Sequence, residues 1–454
     1  MATRKDERFT LTAGGDAIIT RRLSAYEDEG LNQVVEKVRE ADTAMINLEV
    51  LLHNYDEGYP AANGPGTHMR APPWAADELT WAGFDVFAAA QNHALDYSHG
   101  GMLSTMKELE KRDIPYAGLG RTLALARKPA YFDTPAGRVA LVATCSTISR
   151  GSEAGEQRPD MQGRPGISPL QPETTHVLPN DQLKKLEAIS EALGFEEIKQ
   201  RNEDLGGIFR MKGESDDEFR LLNVQRGPHL EFQAGDEATV RQTVREEDAS
   251  KVLKQVRAAD RQADWVVASL HAHEGPAGEY NSPETAPFIE SFARDCIDAG
   301  ADAFIGHGPH QLRGIEIYEG APMFYSLGNF LFQTETITRL PAELYEWHDA
   351  DVNAVPADLH DMRSFDSDGE RWSFLAESAF WESVLPMCEY KNGDLDRIKL
   401  HPLDLGFDAS RTRRGHPRLA DEETADRILD RLTDLSAPYG TSIRNEDGVG
   451  VIDI

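Results

Sequence analysis

Short apolar runs, each ending on a polar residue, punctuate the chain. Phe9-Thr10-Leu11-Thr12-Ala13 leads to Gly14-Gly15-Asp16, Ala44-Met45-Ile46-Asn47-Leu48 to Glu49, and Val86-Phe87-Ala88-Ala89-Ala90 to Gln91-Asn92-His93. Trp265 to Leu270 leads to His271, and Ala303-Phe304-Ile305 to Gly306-His307. Runs of this length and composition predict buried strands. Helical spacing separates them, for example over Gly101 to Arg112 and Ala286 to Ala299. Strands alternating with helices predict an α/β fold whose functional groups lie at the carboxyl ends of the strands.

The segment 151–263 breaks this rhythm and reads as an inserted α+β unit that covers or borders the site, dividing 1–150 from 264–454. It opens on a polar Pro/Gly-rich stretch, Ser152 to Pro172. A helix follows over Asp181 to Leu193, with Leu183, Leu186, Ile189 and Leu193 on one face. Phe219 to Gln225 and His229 to Gln233 flank Arg226-Gly227-Pro228 as a hairpin would. Further on, Pro322 to Leu327 predicts another strand, Asp349 to Arg371 an acidic mobile loop, and Asp421 the cap of a helix burying Ile428, Leu432 and Leu435.

Composition narrows the function. With 454 residues, 40% of them hydrophobic, the chain can bury a large core. Its formal charge of -31 disfavours nucleic acid and anionic membranes, and there is no basic patch to offset it. Lysine supplies only 13 of the 47 cations, leaving 34 arginines. Such an acidic, lysine-poor surface predicts a protein suited to high salt, where screening relieves self-repulsion. Cys145, Cys296 and Cys388 are far apart and read as core thiols. The polar start and the lack of an 18-residue apolar run predict no membrane anchor and a cytoplasmic location.

Singly, Asp16 reads as a turn residue, Glu49 as a solvated strand end and His271 as a core histidine. Jointly, carboxylates, an asparagine and several histidines at one sheet edge form the mixed oxygen and nitrogen donor set preferred by Mn, Fe or Zn.

Five motifs follow in order: Gly15-Asp16, Asn47-Leu48-Glu49, Asn92-His93-Ala94-Leu95-Asp96, Gly306-His307-Gly308-Pro309-His310 and Tyr325-Ser326-Leu327-Gly328-Asn329-Phe330. Together, with a weaker echo over Ser436 to Ile454, they resemble the CapA (poly-γ-glutamate capsule synthesis) family, a relative of the calcineurin-like metallophosphoesterases. The resemblance implies a metallophosphoesterase-like sandwich of two mixed β-sheets flanked by helices, with two divalent transition-metal ions between the sheet ends. By position, Asp16 and His310 would hold the first ion, Glu49 would bridge, and Asn92, His271 and His307 would complete the second. His93, poised by Asp96, would act as the acid, and Arg70 and Tyr325 would hold an anionic substrate. The chain departs from the family pattern in three places. Ile18 stands where the phosphoesterase signature has a histidine, so the first site would be short of a ligand. Gly308 interrupts the usual double histidine. The stretch Ala272 to Tyr280 is long, leaving His273 as either an extra ligand or a plain loop residue, and the acidic role open between Glu274 and Glu279.

The resemblance implies a hydrolase acting on a phosphoester, amide or γ-glutamyl bond of a small molecule, peptide or anionic polymer. An acid–base enzyme such as a peptide epimerase, or a non-catalytic accessory of polymer synthesis, uses the same scaffold differently. The sequence does not specify an oligomeric state.

Overall fold

The computed structural model describes residues 8–62, 66–205, 218–221 and 230–454. At its centre the strand Arg8–Ile18 pairs in parallel with Thr43–Leu48 and Asn329–Phe332, and antiparallel with Glu382–Lys391. These belong to a ten-stranded mixed sheet. A second mixed sheet of six strands has Trp265–His271 between Gly137–Cys145 and Ala303–His307, all parallel.

Alternation along the strands explains how the sheets pack. Val139, Leu141 and Ala143 share a core with Phe9, Leu11 and Met45 of the other sheet, so this core lies between the two. Ala140 and Val142 point the other way, against the helices Glu246–Asp260 and Pro287–Asp298. On the far side Ala44, Ile46 and Leu48 pack on Leu31, Val34 and Val38 of the helix Glu29–Arg39. Both faces of each central strand are therefore buried, which is why those runs are apolar without a break.

Several boundaries differ from the sequence reading. The first strand continues through Gly14-Gly15-Asp16 to Ile18, with a register shift between Ala13 and Asp16, so Asp16 sits in a bulge and not beyond the strand. Gly15 is required there, since a Cβ would lie 1.8 Å from the Gly328 carbonyl oxygen. Pro322 to Leu327 is not one strand: Ala321–Phe324 ends before Asn329–Phe332 begins in the other sheet. The acidic stretch 349–371 is not merely loop, because Pro356–Ser364 is a helix anchored by fully buried Leu359.

In the middle segment, Pro172–Pro179, Glu218–Leu221, Leu230–Gly235 and Thr239–Val244 form a separate four-stranded sheet. Glu218–Leu221 and Leu230–Gly235 are antiparallel, while the expected turn Arg226-Gly227-Pro228 lies outside the described residues. The helix Asn180–Ala192 forms and buries Leu183, but Ile189 and Leu193 are exposed, so the predicted face is only partly covered. Asp421 caps Glu422–Ser436 by accepting from Thr424 N–H at 2.9 Å, and Ile428 and Leu432 are buried. The three cysteines are buried and unpaired. Among the described residues no helix is long and apolar enough to cross a membrane.

Candidate metal centre

Strand register assembles the site. Parallel pairing sets His271 directly opposite His307, at the carboxyl ends of neighbouring strands in the six-stranded sheet. The bulge in the first strand sets Asp16 opposite both Asn47 and Asn329 in the other sheet. Across the gap, Asp16 Oδ2 accepts from Gly308 N–H at 3.0 Å, and Asp16 Oδ1 accepts from Asn47 Nδ2 at 2.7 Å. Asp16 Oδ1 lies 3.8 Å from Nδ1 of both His271 and His307. Burial alone would raise the Asp16 pKa, but His310, His307 and the Gly308 amide outweigh it and hold the carboxylate at about 2. Gly308 has a φ of 117°, and a Cβ there would lie 2.9 Å from Ala272 N, so this glycine brings its amide up to Asp16.

Glu49 is fully buried, and neither of its carboxylate oxygens has a hydrogen-bond partner. Its Oε1 is 3.7 Å from His310 Nε2, 3.9 Å from His271 Nε2 and 4.0 Å from His93 Nε2. Burial, then the charge of Asp16, pushes its pKa well above the usual carboxylate range. Asn47 Oδ1 is likewise buried without a partner.

His273 is 1% exposed and lies beside Glu49 and His310. Its Nε2 is 3.1 Å from His271 Nε2, its Nδ1 is 2.6 Å from Asn281 Oδ1, and its ring stacks on Tyr280 at 4.6 Å. Of the two acids that follow it, Glu274 turns inward to accept from the Ser146 and Thr147 hydroxyls, whereas Glu279 is exposed. Burial lowers the pKa of His271 and His273 well below the ordinary value and that of His307 to about 4, leaving neutral rings, each with one ring-nitrogen lone pair.

Two groups of donors result: Asp16, His271 and His307; and Glu49, His273 and His310, the atoms of each lying within 4.8 Å of one another. The resemblance joins His310 to Asp16, and His310 is near both carboxylates. Strand pairing turns His271 and His307 toward Asp16, while the His310 ring, at a φ of 59°, lies between both carboxylates, with Nδ1 3.5 Å from Asp16 Oδ2 and Nε2 3.7 Å from Glu49 Oε1. Its Nδ1 is held 3.0 Å from Asn329 Oδ1, freeing Nε2 for that direction. Unpartnered buried carboxylate oxygens beside neutral histidines are the chemistry a divalent cation satisfies, so the residues fit the implied metal.

Two members of the cluster, His273 and His310, line a cavity of about 330 Å³. Asn92 is on its wall, with Oδ1 3.1 Å from His271 Nε2. His93 is there too, its Nδ1 2.7 Å from Asp96 Oδ2, which also accepts from Met69 N–H at 2.6 Å. Thr67, His68, Ser149, Phe332, Arg363 and Phe374 complete much of the lining. No described residue of 172–244 lines the cavity.

Arg70 and Tyr325 do not line the cavity. Arg70 Nε donates to the His53 carbonyl at 2.7 Å, and its guanidinium lies over the Tyr55 ring at 4.0 Å. Tyr325 follows Phe324, which faces the inter-sheet core, so its own side chain points to the outer face, where its hydroxyl donates to Glu316 at 2.5 Å. His273 was left open in the sequence, and Asn281, His68 and Arg363 gave no signal of site character there. They come from turns and a remote helix, not from strand ends.

Comparison with known proteins gives a consistent picture. Residues 10–334 match a family model described as bacterial capsule synthesis protein PGA_cap. The uncharacterised protein y4sH of Sinorhizobium fredii is 33% identical over 457 residues, covering 99% of this chain and 94% of that protein. The capsule biosynthesis protein CapA of Bacillus anthracis is 23% identical over 363 residues, covering 78% of this chain and 67% of that protein. The PGA biosynthesis protein CapA of Bacillus subtilis is 23% identical over 370 residues, covering 79% and 74%.

Proposed function

Since the chain belongs to the PGA_cap family of bacterial capsule synthesis proteins, we propose that it is a metal-dependent hydrolase. It cleaves a phosphoester, amide or γ-glutamyl bond in capsule or poly-γ-glutamate metabolism. The observation that carries this reading is Glu49: a fully buried carboxylate with both oxygens unpartnered, facing His93, His271 and His310. Leaving such a group without a counter-charge costs several kcal/mol on the order seen for buried ions, so its position makes sense as a bridge between two cations.

Asp16, His271 and His307, with Asn92 beside them, would hold one ion, and His273 and His310 the other. Two such ions, Mn, Fe or Zn by their donor chemistry, supply Lewis acidity at the scissile carbonyl or phosphoryl group. The remaining residues supply orientation and proton transfer. Asp96, fixed by the Met69 amide, keeps a proton on His93 Nδ1 and turns Nε2 toward the cluster. As an imidazolium, with its second proton on Nε2 and its Nδ1–H held by Asp96, His93 would give the Nε2 proton to the leaving group and return to the neutral tautomer. Asn281 orients His273, and Asn329 orients His310.

The test is metal content by mass spectrometry on protein purified without chelator, beside Glu49→Ala and His307→Ala. About two transition-metal ions per chain, lost in both variants, is the expected result. A folded, reconstitution-resistant protein without metal overturns it and shifts the chemistry to the His93–Asp96 pair acting alone as acid and base.

A further inference from the structure

The cavity contains one arginine, and its surroundings leave that cation underused. Arg363 sits at the end of the helix Pro356–Ser364 and lines the same cavity as His93, Asn92 and His273. Its Nη1 donates to the Thr67 hydroxyl, and among the described residues it makes no ion pair. The acids nearby are already engaged: Glu335 pairs with Arg414 at 2.7 Å and Arg411 at 3.6 Å, and Asp361 pairs with Arg411 at 2.5 Å.

The segment also holds Arg363 in place. Leu359 is fully buried, His360 Nε2 is 3.0 Å from the Ile337 carbonyl, and the Ser364 hydroxyl donates to Glu335 at 3.1 Å. The Ser373 hydroxyl donates to the Arg363 carbonyl at 3.3 Å, setting Phe374 beside it on the cavity wall. A planar guanidinium fixed in this way, its fork not spent on a protein carboxylate, is suited to an oxyanion.

We infer that Arg363 is the anion-recognising residue of this cavity, binding a carboxylate or phosphate of the substrate while the reacting bond lies at the His93 end. This rests on the reading that the cavity is the substrate site. It also assigns the role that Arg70, turned onto Tyr55, does not fill. In a chain of net charge -31, an anionic ligand needs such a local cation to be held. Arg363 lies beyond residue 334, where the family match ends, so a residue outside the matched region contributes to the cavity.

The experiment is calorimetric titration of the full chain as purified with two probes, the dipeptide γ-glutamylglutamate and inorganic phosphate. Wild type, Arg363→Ala, Arg363→Lys and Arg70→Ala are compared, with metal content measured for each. The expected result is binding of at least one probe, weakened about tenfold or more in Arg363→Ala and partly restored in Arg363→Lys. Arg70→Ala, which removes the same charge, binds as wild type, and metal content is unchanged throughout. The probe affected identifies the anion as carboxylate or phosphate. Equal binding by Arg363→Ala, or no binding of either probe to wild type, overturns the inference. Loss of metal from wild type with Arg363-dependent binding intact would instead count against the two-metal reading alone.

Discussion

Glu49 stores an energetic conflict that an ion resolves. Its carboxyl group is fully buried with no donor to satisfy it, so in metal-free protein it must either take up a proton or carry an unsolvated charge, and it opposes folding. Glu49→Gln keeps the shape and removes the charge. It is expected to leave the thermal midpoint of chelator-treated protein unchanged or raised, by about 1–3 kcal/mol in stability, while abolishing metal retention. Calorimetry with and without chelator checks both halves. Asp96 acts through His93. Asp96→Asn is expected to lower kcat by about 10²- to 10⁴-fold, with metal content intact and the pH profile altered, because His93 loses its preferred tautomer. A variant that loses its metal instead would show that Asp96 supports the cluster. The polar residues at strand ends were legible in the sequence because each follows an apolar run. Tyr325 and Arg70 were misplaced because a side chain's direction depends on register and on the turn that carries it, which composition does not encode.

Among the elements, the first strand carries the tightest constraint. Gly15 allows the backbones of residues 15 and 328 to touch at the bulge that aims Asp16. Gly15→Ala forces them apart, and stability is expected to fall by about 3 kcal/mol or more, with metal lost as Asp16 shifts. Urea unfolding and metal analysis together test this. An alanine variant of wild-type stability would mean that the two strands separate at little cost. The central strands and the capped C-terminal helix could be read from sequence because burial on both faces, or one polar cap, leaves a strong local pattern. The helix Pro356–Ser364 escaped that reading: its sequence is acidic, and Leu359 is its one buried apolar residue, with His360 and Ser364 anchoring it through hydrogen bonds.

For the whole molecule, charge and protons set the conditions of stability. At -31 the surface repels itself, and the melting temperature is expected to rise as KCl increases from about 0.1 to 2 M. A flat response would remove the high-salt reading. His53, His401 and His416 lie outside the donor cluster, and each has a pKa lowered to about 4. Burial is the main cause in all three, helped by Arg70, Lys37 and Arg21 respectively and opposed by Glu57, Glu40 and Asp28. Unfolded histidine titrates near pH 6.5, so between about 6.5 and 4 the unfolded chain binds more protons. Stability is therefore fully present above that window and falls as pH drops through it, by up to about 1.4 kcal/mol per pH unit for each histidine. Urea midpoints between pH 7.5 and 4.5 measure the slope, and replacing His401 should reduce it.

The contact from Asp16 to the Gly308 amide joins the two sheets within the donor cluster, and the donors around it come from both sides of that seam. An ion bound there would act as a rivet between halves of the molecule, its binding energy adding to the cohesion of the fold. The lifetime of the protein in a cell would then follow the supply of metal, with starved molecules opening along the seam and reaching proteases first.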